Sequence, residues 1–198
     1  DETWEWDGIR WLHCAPAHRP AAAYEPAMAF DAARQRVLLF AGDTWEWDGV
    51  DWVQRAPAHR PLSAGAIAYD STRRRVVFAG QDGTWEWDGV DWTRVGGTPF
   101  GQLDYPMAYD EVRARTVALV GGFPLQTWEW DGAQWTRRPA AHGPHLGYRA
   151  LTWDPSRQRL VGLGLVSDSY LASAVWEWDG TDWVQLSMTP TPAARVAH

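Results

Sequence analysis

Lysine is missing from this chain of 198 residues: all 18 basic side chains are Arg. Against 25 Asp and Glu the formal charge is −7, and a chain without a basic footprint is not built to displace counterions from nucleic acid. The one dense basic run, Arg73-Arg74-Arg75, is read as a hairpin turn. Cysteine is reduced to Cys14, which excludes an internal disulfide. The equivalent position one repeat later is Arg55, so the thiol is not expected to act as a nucleophile or ligand. No apolar run approaches the roughly 18 residues needed to span a bilayer, so no membrane insertion is expected. Nothing sustains a 3.6-residue period for ten residues, and 18 Gly and 13 Pro punctuate the connections. Those two features remove the helical alternative.

Tryptophan and repetition are what the chain has in excess. The pentapeptide Trp-Glu-Trp-Asp-Gly, with a further Trp three residues on, occurs five times, led by Trp4, Trp45, Trp85, Trp128 and Trp176. The starts are 41, 40, 43 and 48 residues apart, a period that marks an array of supersecondary units. The unit around Trp85 shows the grammar. Ala66 to Asp70 reads as a strand, Ser71-Thr72-Arg73 as a turn, and Arg75 to Gly80 as a second strand. Thr84 to Trp87 is a third, Asp88-Gly89 supplies a tight hairpin turn, and Asp91 to Val95 is a fourth. Four short antiparallel strands in about 40 residues are the unit of a β-propeller blade. The Asp-turn-Arg element recurs from Asp31, Asp70, Asp110 and Asp154.

The pattern resembles the kelch-type β-propeller, in a bacterial-looking Trp-Glu-Trp-Asp-Gly variant. The residues that carry the resemblance are Gly121-Gly122 closing a second strand, Trp130-Asp131 in the third, and Trp135 after it. Elsewhere the Gly doublet is Ala41-Gly42, Ala79-Gly80 or Leu163-Gly164, and Trp replaces the usual Tyr throughout. The expected fold is therefore all-β: one kelch-like propeller domain over residues 1–198, with four complete blades and a split, partial fifth. Complete blades run from Ala23 to Ala56, Ala64 to Val95, Leu103 to Pro139 and Gly147 to Leu186. The remainder supplies only third and fourth strands (Thr3 to Leu12) and, from Ala193 to His198, the start of a first. Two readings stand: a five-bladed ring with a defective closing blade, or, preferred, part of a longer array of six or seven blades. An open ring would leave edge strands free to self-associate.

Alternation in a strand puts the two Trp of each motif on one face and the Glu on the other. The expected core is thus Trp4, Trp6, Trp11, Trp45, Trp47, Trp52, Trp85, Trp87, Trp92, Trp128, Trp130, Trp135, Trp176, Trp178 and Trp183, joined by Trp153. The intervening Glu5, Glu46, Glu86, Glu129 and Glu177 lie where a carboxylate is costly unless paired. The Arg residues that follow each first strand are their expected partners.

Three histidines, His18, His59 and His142, recur seven residues after the last Trp of a unit, where Pro99 and Pro190 stand in the others. With Arg19 and Arg60 they are the expected ligand-facing rim. A metal there is not expected, nor is any cofactor. The one large insertion, Leu165 to Ala174, adds Asp168 and Tyr170 to that rim. Among enzymes, galactose-oxidase-type copper proteins resemble the chain only in fold, and Asp82-Gly83-Thr84-Trp85 is an incomplete sialidase Asp-box. No Ser-His-Asp order, zincin motif or P-loop is present. The expected function is non-enzymatic recognition of a protein or glycan through inter-blade loops. The alternative is a structural spacer within a larger secreted or surface protein, extracellular or on a bacterial cell surface in either case.

Overall fold

The computed structural model describes residues 2–23, 26–101, 105–121, 125–165 and 173–187. It is an all-β propeller of four four-stranded antiparallel blades, preceded by one two-stranded sheet. That sheet is β1 (Thr3–Trp6) with β2 (Trp11–Cys14). The first full blade contains β3 (Ala27–Asp31), β4 (Arg36–Phe40), β5 (Thr44–Trp47) and β6 (Trp52–Arg55). The second contains β7 (Gly65–Asp70), β8 (Arg75–Gly80), β9 (Gly83–Trp87) and β10 (Trp92–Gly96). The third contains β11 (Met107–Asp110), β12 (Arg115–Val120), β13 (Gln126–Trp130) and β14 (Trp135–Arg138). The fourth contains β15 (His145–Asp154), β16 (Arg159–Leu165), β17 (Ser173–Trp178) and β18 (Trp183–Leu186). Within each blade sequential strands pair, and the first strands pack on one another in chain order: β3 on β7, β7 on β11, β11 on β15. The start of a first strand expected at Ala193 to His198 lies outside the described residues.

Both hairpin turns of a blade are built by an Asp. In the turn between first and second strands, Asp31 Oδ1 accepts the backbone N–H groups of Ala33 and Arg34 at 3.1 Å, and Oδ2 accepts from the Arg34 guanidinium at 2.6 Å. Asp70 and Asp110 repeat this with Arg73 and Arg113. The turn then places Gln35, Arg74, Ala114 and Gln158 in the left-handed region, with φ between 51° and 55°. In the Trp-Glu-Trp-Asp-Gly turn, Asp48 Oδ1 accepts from Val50 N at 2.8 Å and Asp51 N at 2.9 Å. These bonds hold the Asp48 carboxyl below the usual carboxylate range, and at Asp179, where Thr181 Oγ1 adds another, it falls to about 2. The Gly that follows is doubly constrained. Gly132 sits at φ +100°, and a Cβ there would stand 2.9 Å from Arg73 Nη1 of the preceding blade.

The seam between blades follows from the alternation in the third strand. Thr and Glu face the next blade; the Trp pair faces the previous one. Each fourth-strand Trp donates its indole N–H back to that Thr: Trp52 to Thr3 (2.9 Å), Trp92 to Thr44, Trp135 to Thr84 and Trp183 to Thr127 (2.8 Å each). The second Trp of the third strand donates back to the Glu: Trp47 to Glu5 (2.7 Å), Trp87 to Glu46 (3.2 Å) and Trp130 to Glu86 (3.3 Å). A buried indole N–H is costly without a partner, and for these seven the neighbouring blade supplies it, whereas the Trp85, Trp176 and Trp178 Nε1 atoms are buried without one.

The carboxylates are also paired with Arg, from two sources. Arg73, Arg113 and Arg157, from the turn after the first strand, reach Glu86, Glu129 and Glu177. Arg55 and Arg138, from the fourth strand, reach Glu46 and Glu129 at 2.8 and 2.6 Å. Arg34 departs from the expectation: it bonds Asp31 and the Asp88 carbonyl of the next blade instead of Glu46. Cys14 occupies the Arg55 position, so Glu5 has no Arg from that strand and accepts from Trp47.

Trp87, Trp92, Trp130, Trp178 and Trp183 are fully buried, and Trp47, Trp52 and Trp176 nearly so. Trp45, Trp85, Trp128, Trp135 and Trp153 are half-buried. Trp4, Trp6 and Trp11 depart from the expected core: they are 48%, 53% and 64% exposed. Their face points to the preceding side, where no sheet stands against β1 and β2 among the described residues. Met28 and Phe30 of β3 are exposed as well.

Replacing Thr44 by Val keeps its shape and deletes the acceptor of the Trp92 indole, which is 1% exposed. The expected cost is about 1–3 kcal/mol, that of an unsatisfied buried donor, read from urea denaturation. An unchanged midpoint would show that the bond contributes nothing.

Candidate ligand-binding site

After each fourth strand the chain crosses to the first strand of the next blade, and this crossing carries the histidines. None of the three stands alone. The His18 backbone N–H donates to Asp51 Oδ1 at 2.8 Å, and its ring Nδ1 lies 2.7 Å from Asp51 Oδ2. His59 binds Asp91 in the same two ways, at 2.9 and 2.8 Å, and His142 binds Asp182 at 2.9 and 2.7 Å. Each Asp stands one residue before the fourth-strand Trp of the following blade, so each pair is a clasp across a seam. The bonds lower the carboxyls. At Asp51 and Asp91 the backbone N–H of the histidine is the largest cause and the ring the next. At Asp182 burial is the largest cause and pushes up, and the bonds from the His142 ring and backbone, with the Trp183 N–H, bring the carboxyl below its ordinary value. The imidazoles remain about 70% exposed.

The sequence holds a signal for this clasp. Where Pro99 replaces the histidine, the Asp position one blade later is Gln134. Both halves are substituted together. The Asp partners were not among the expected site residues, nor were Thr3, Thr44, Thr84 and Thr127, although Thr precedes four of the five motifs.

Inboard of the clasps, the crossing segments meet the turns between second and third strands. Arg60 pairs with Asp43 and donates to the Gly42 carbonyl at 2.9 Å. Asp82, one blade on, accepts from Leu62 N at 2.9 Å and Ser63 Oγ at 2.7 Å. Two clefts open here. One of 590 Å³ is lined by Arg19 to Ala23, Ala41, Asp43, Trp45 and Gln54, at the junction of the β2–β3 crossing with the first full blade. The other, of 350 Å³, lies between that blade and the Arg60–Ala64 crossing. Gln54 Nε2 donates to Asp43 Oδ2 at 3.2 Å, so Arg60 and Gln54 hold the carboxylate at the mouth.

Of the expected rim residues, Arg19 and Arg60 line clefts, whereas His18, His59 and His142 lie at three separate seams and do not converge. Asp168 and Tyr170 lie outside the described residues. The insertion is shorter than its expected bounds, because Leu165 pairs with Ser173 and Ala174 with Gly164 in the ladder. Among the described residues no group of three or more His, Cys, Asp or Glu is placed to hold a metal ion. Nor is there a helix long and apolar enough to cross a membrane.

No protein-family model matches the chain, and no curated protein does. Solved structures do. The Aleuria aurantia lectin in complex with Fucα1-6GlcNAc is 13% identical, covering 99% of this chain and 72% of the lectin chain with a TM-score of 0.63. The SapL1 lectin in complex with α-methyl fucoside is 17% identical over 93% of this chain and 70% of that one, TM-score 0.59. A chain of the nidogen–laminin complex is 15% identical over 77% of this chain, TM-score 0.54, and this chain spans 59% of its length. A Xanthomonas campestris gluconolactonase is also similar, at 13% identity. At such identities the likeness shows the propeller fold alone.

The clasp has a pH signature. The Asp91 carboxyl is lowered on folding, so its contribution is complete above the ordinary carboxylate range near pH 4 and is lost as pH falls through the lowered folded value. Asp91→Asn is therefore expected to lower the urea midpoint at pH 7 and to approach the parent protein as pH falls through the lowered folded value. A deficit that stays constant with pH would assign the effect to shape rather than charge.

Proposed function

We propose that the chain is a non-enzymatic recognition module that takes a glycan into the cleft beside Trp45. The observation that carries the proposal is the composition of that cleft. A half-buried indole stands next to the carboxylate of Asp43 and the amide of Gln54, in a volume of 590 Å³. Ligand sites combine an apolar or aromatic wall with a few placed polar groups. The apolar face of a sugar ring fits the indole, its hydroxyls donate to Asp43, and the Gln54 amide serves as donor and acceptor. Arg60 acts as a positioning residue through its pair with Asp43, and Arg19 also lines the cleft. The His–Asp clasps keep neighbouring crossings in register, so His18 and His59 support the rim rather than form the pocket. Similarity to two lectins solved with fucosides supports a sugar ahead of a protein ligand.

Isothermal titration with methyl α-L-fucoside, alongside a glycan array, tests the proposal. Saturable binding is expected, weakened at least about tenfold in Asp43→Ala/Gln54→Ala, the loss of two hydrogen bonds to ligand. The variant's melting temperature should stay near that of the parent. No glycan bound, or affinity unchanged in the double variant, would sink the assignment and favour the protein-binding or spacer alternatives.

A further inference from the structure

We propose that the glycan taken up beside Trp45 is at least a disaccharide, its second ring lodged in the neighbouring cleft between Phe40 and the Arg60–Ala64 crossing. The inference rests on the glycan reading of the Trp45 cleft and extends it. The two clefts are not separate features. Both are walled by Ala23 and Ala41. Asp43 lines the larger, Gly42 and Arg60 line the smaller, and Arg60 binds both Asp43 and the Gly42 carbonyl. One ion pair thus has a member in each cleft. A guanidinium carries five N–H donors, and Arg60 uses a single nitrogen, Nη1, for these two bonds. Its side chain is half exposed, so it can also donate to a hydroxyl or to the bridging oxygen of a ligand lying across both clefts.

The smaller cleft has the make-up of a sugar site. At 350 Å³ it clears the roughly 300 Å³ at which ligand pockets begin. Phe40, Ala41 and Leu62 are its apolar surfaces, and Leu62 stands 83% exposed. Ser63 Oγ gives its proton to Asp82 and keeps lone pairs that can accept from a sugar hydroxyl. The crossing is pinned at two points, by Arg60 to Asp43 of the first full blade and by Leu62 N and Ser63 Oγ to Asp82 of the second. A wall fixed before the ligand arrives loses less freedom on binding.

Nor is the opening a by-product of repetition. Phe100 stands eight residues after Trp92, as Arg60 stands eight after Trp52. Phe100 is 7% exposed, and its ring packs on Trp128 at 5.8 Å and on Trp135 at 5.1 Å. That crossing packs down into its seam, whereas Arg60 reaches the Gly42–Asp43 turn of the preceding blade. The smaller cleft therefore depends on side chains particular to this crossing.

Calorimetry on the full chain with methyl α-L-fucoside and with Fucα1-6GlcNAc tests this. One disaccharide should bind per chain, at least about tenfold more tightly than the monosaccharide, through the hydrogen bonds and apolar contact of its second ring. Leu62→Ala trims a wall of the smaller cleft alone. It should remove about fivefold of that gain while leaving the methyl fucoside affinity and the melting temperature near those of the parent. Leu62→Met, close in volume, should retain the gain. Equal affinity for the two sugars, two methyl fucosides bound per chain at equal strength, or a gain indifferent to Leu62→Ala overturns the second subsite and leaves the Trp45 cleft standing. Binding of neither sugar overturns both.

Discussion

The indole N–H of tryptophan is the group on which this structure turns. It is a single donor on the largest apolar side chain, so burying it between sheets demands an acceptor at a fixed place on the facing sheet. The repeat meets that demand at seven indoles with a period-two strand, Thr and Glu on one face and Trp and Trp on the other, and leaves Trp85, Trp176 and Trp178 without an acceptor. Every blade is then acceptor to its successor and donor to its predecessor. The seams have a direction, and blade order follows from local sequence. Arg73 and Arg113, tied to a capping Asp at one end and to a seam Glu at the other, carry the same polarity across to the left-handed Gly132 and Gly180 of the next blade.

Rigidity of this kind frees the crossing segments for other use. Their ends are fixed by the fourth strand they leave and by the clasp that pins His18 or His59 to the next blade. The stretch between has little secondary structure to satisfy and shapes the clefts. Asp43 and Asp82 sit in equivalent turns and take different partners, Arg60 and Gln54 in one case and the Leu62–Ser63 segment in the other. One framework thus presents non-identical pockets.

Much of the fold was legible in the sequence because the signals are local: Asp-Gly turns, alternation, and a fixed period. The Glu–Arg pairing was legible in part: Arg73, Arg113 and Arg157 from the turn after the first strand pair as expected, whereas Arg34 does not and the fourth-strand Arg55 and Arg138 were not foreseen. Three things were not legible. Exposure of Trp4, Trp6 and Trp11 depends on what lies across a seam, and their motif is the same as in the buried copies. The histidines read as free because their Asp partners are more than 30 residues away; only the joint change to Pro99 and Gln134 hints at the clasp. The cleft beside Trp45 arises where three separate segments meet, and no single stretch encodes it. Asp168 and Tyr170 stand out only through an insertion in the spacing, a signal that marks tolerance as readily as function.

Blade order stands or falls with the seam bonds, and the tryptophan indole region of a ¹H–¹⁵N spectrum reads them one by one. Hydrogen exchange of each indole N–H, assigned by Trp→Phe substitution, is the most direct measurement. The indoles of Trp87, Trp92, Trp130 and Trp183, bonded across seams and buried, should exchange orders of magnitude more slowly than an unstructured peptide. Exchange of those four at peptide rates in the folded protein would mean that the indoles find no acceptor across the seams, and that blade order rests on some other interaction.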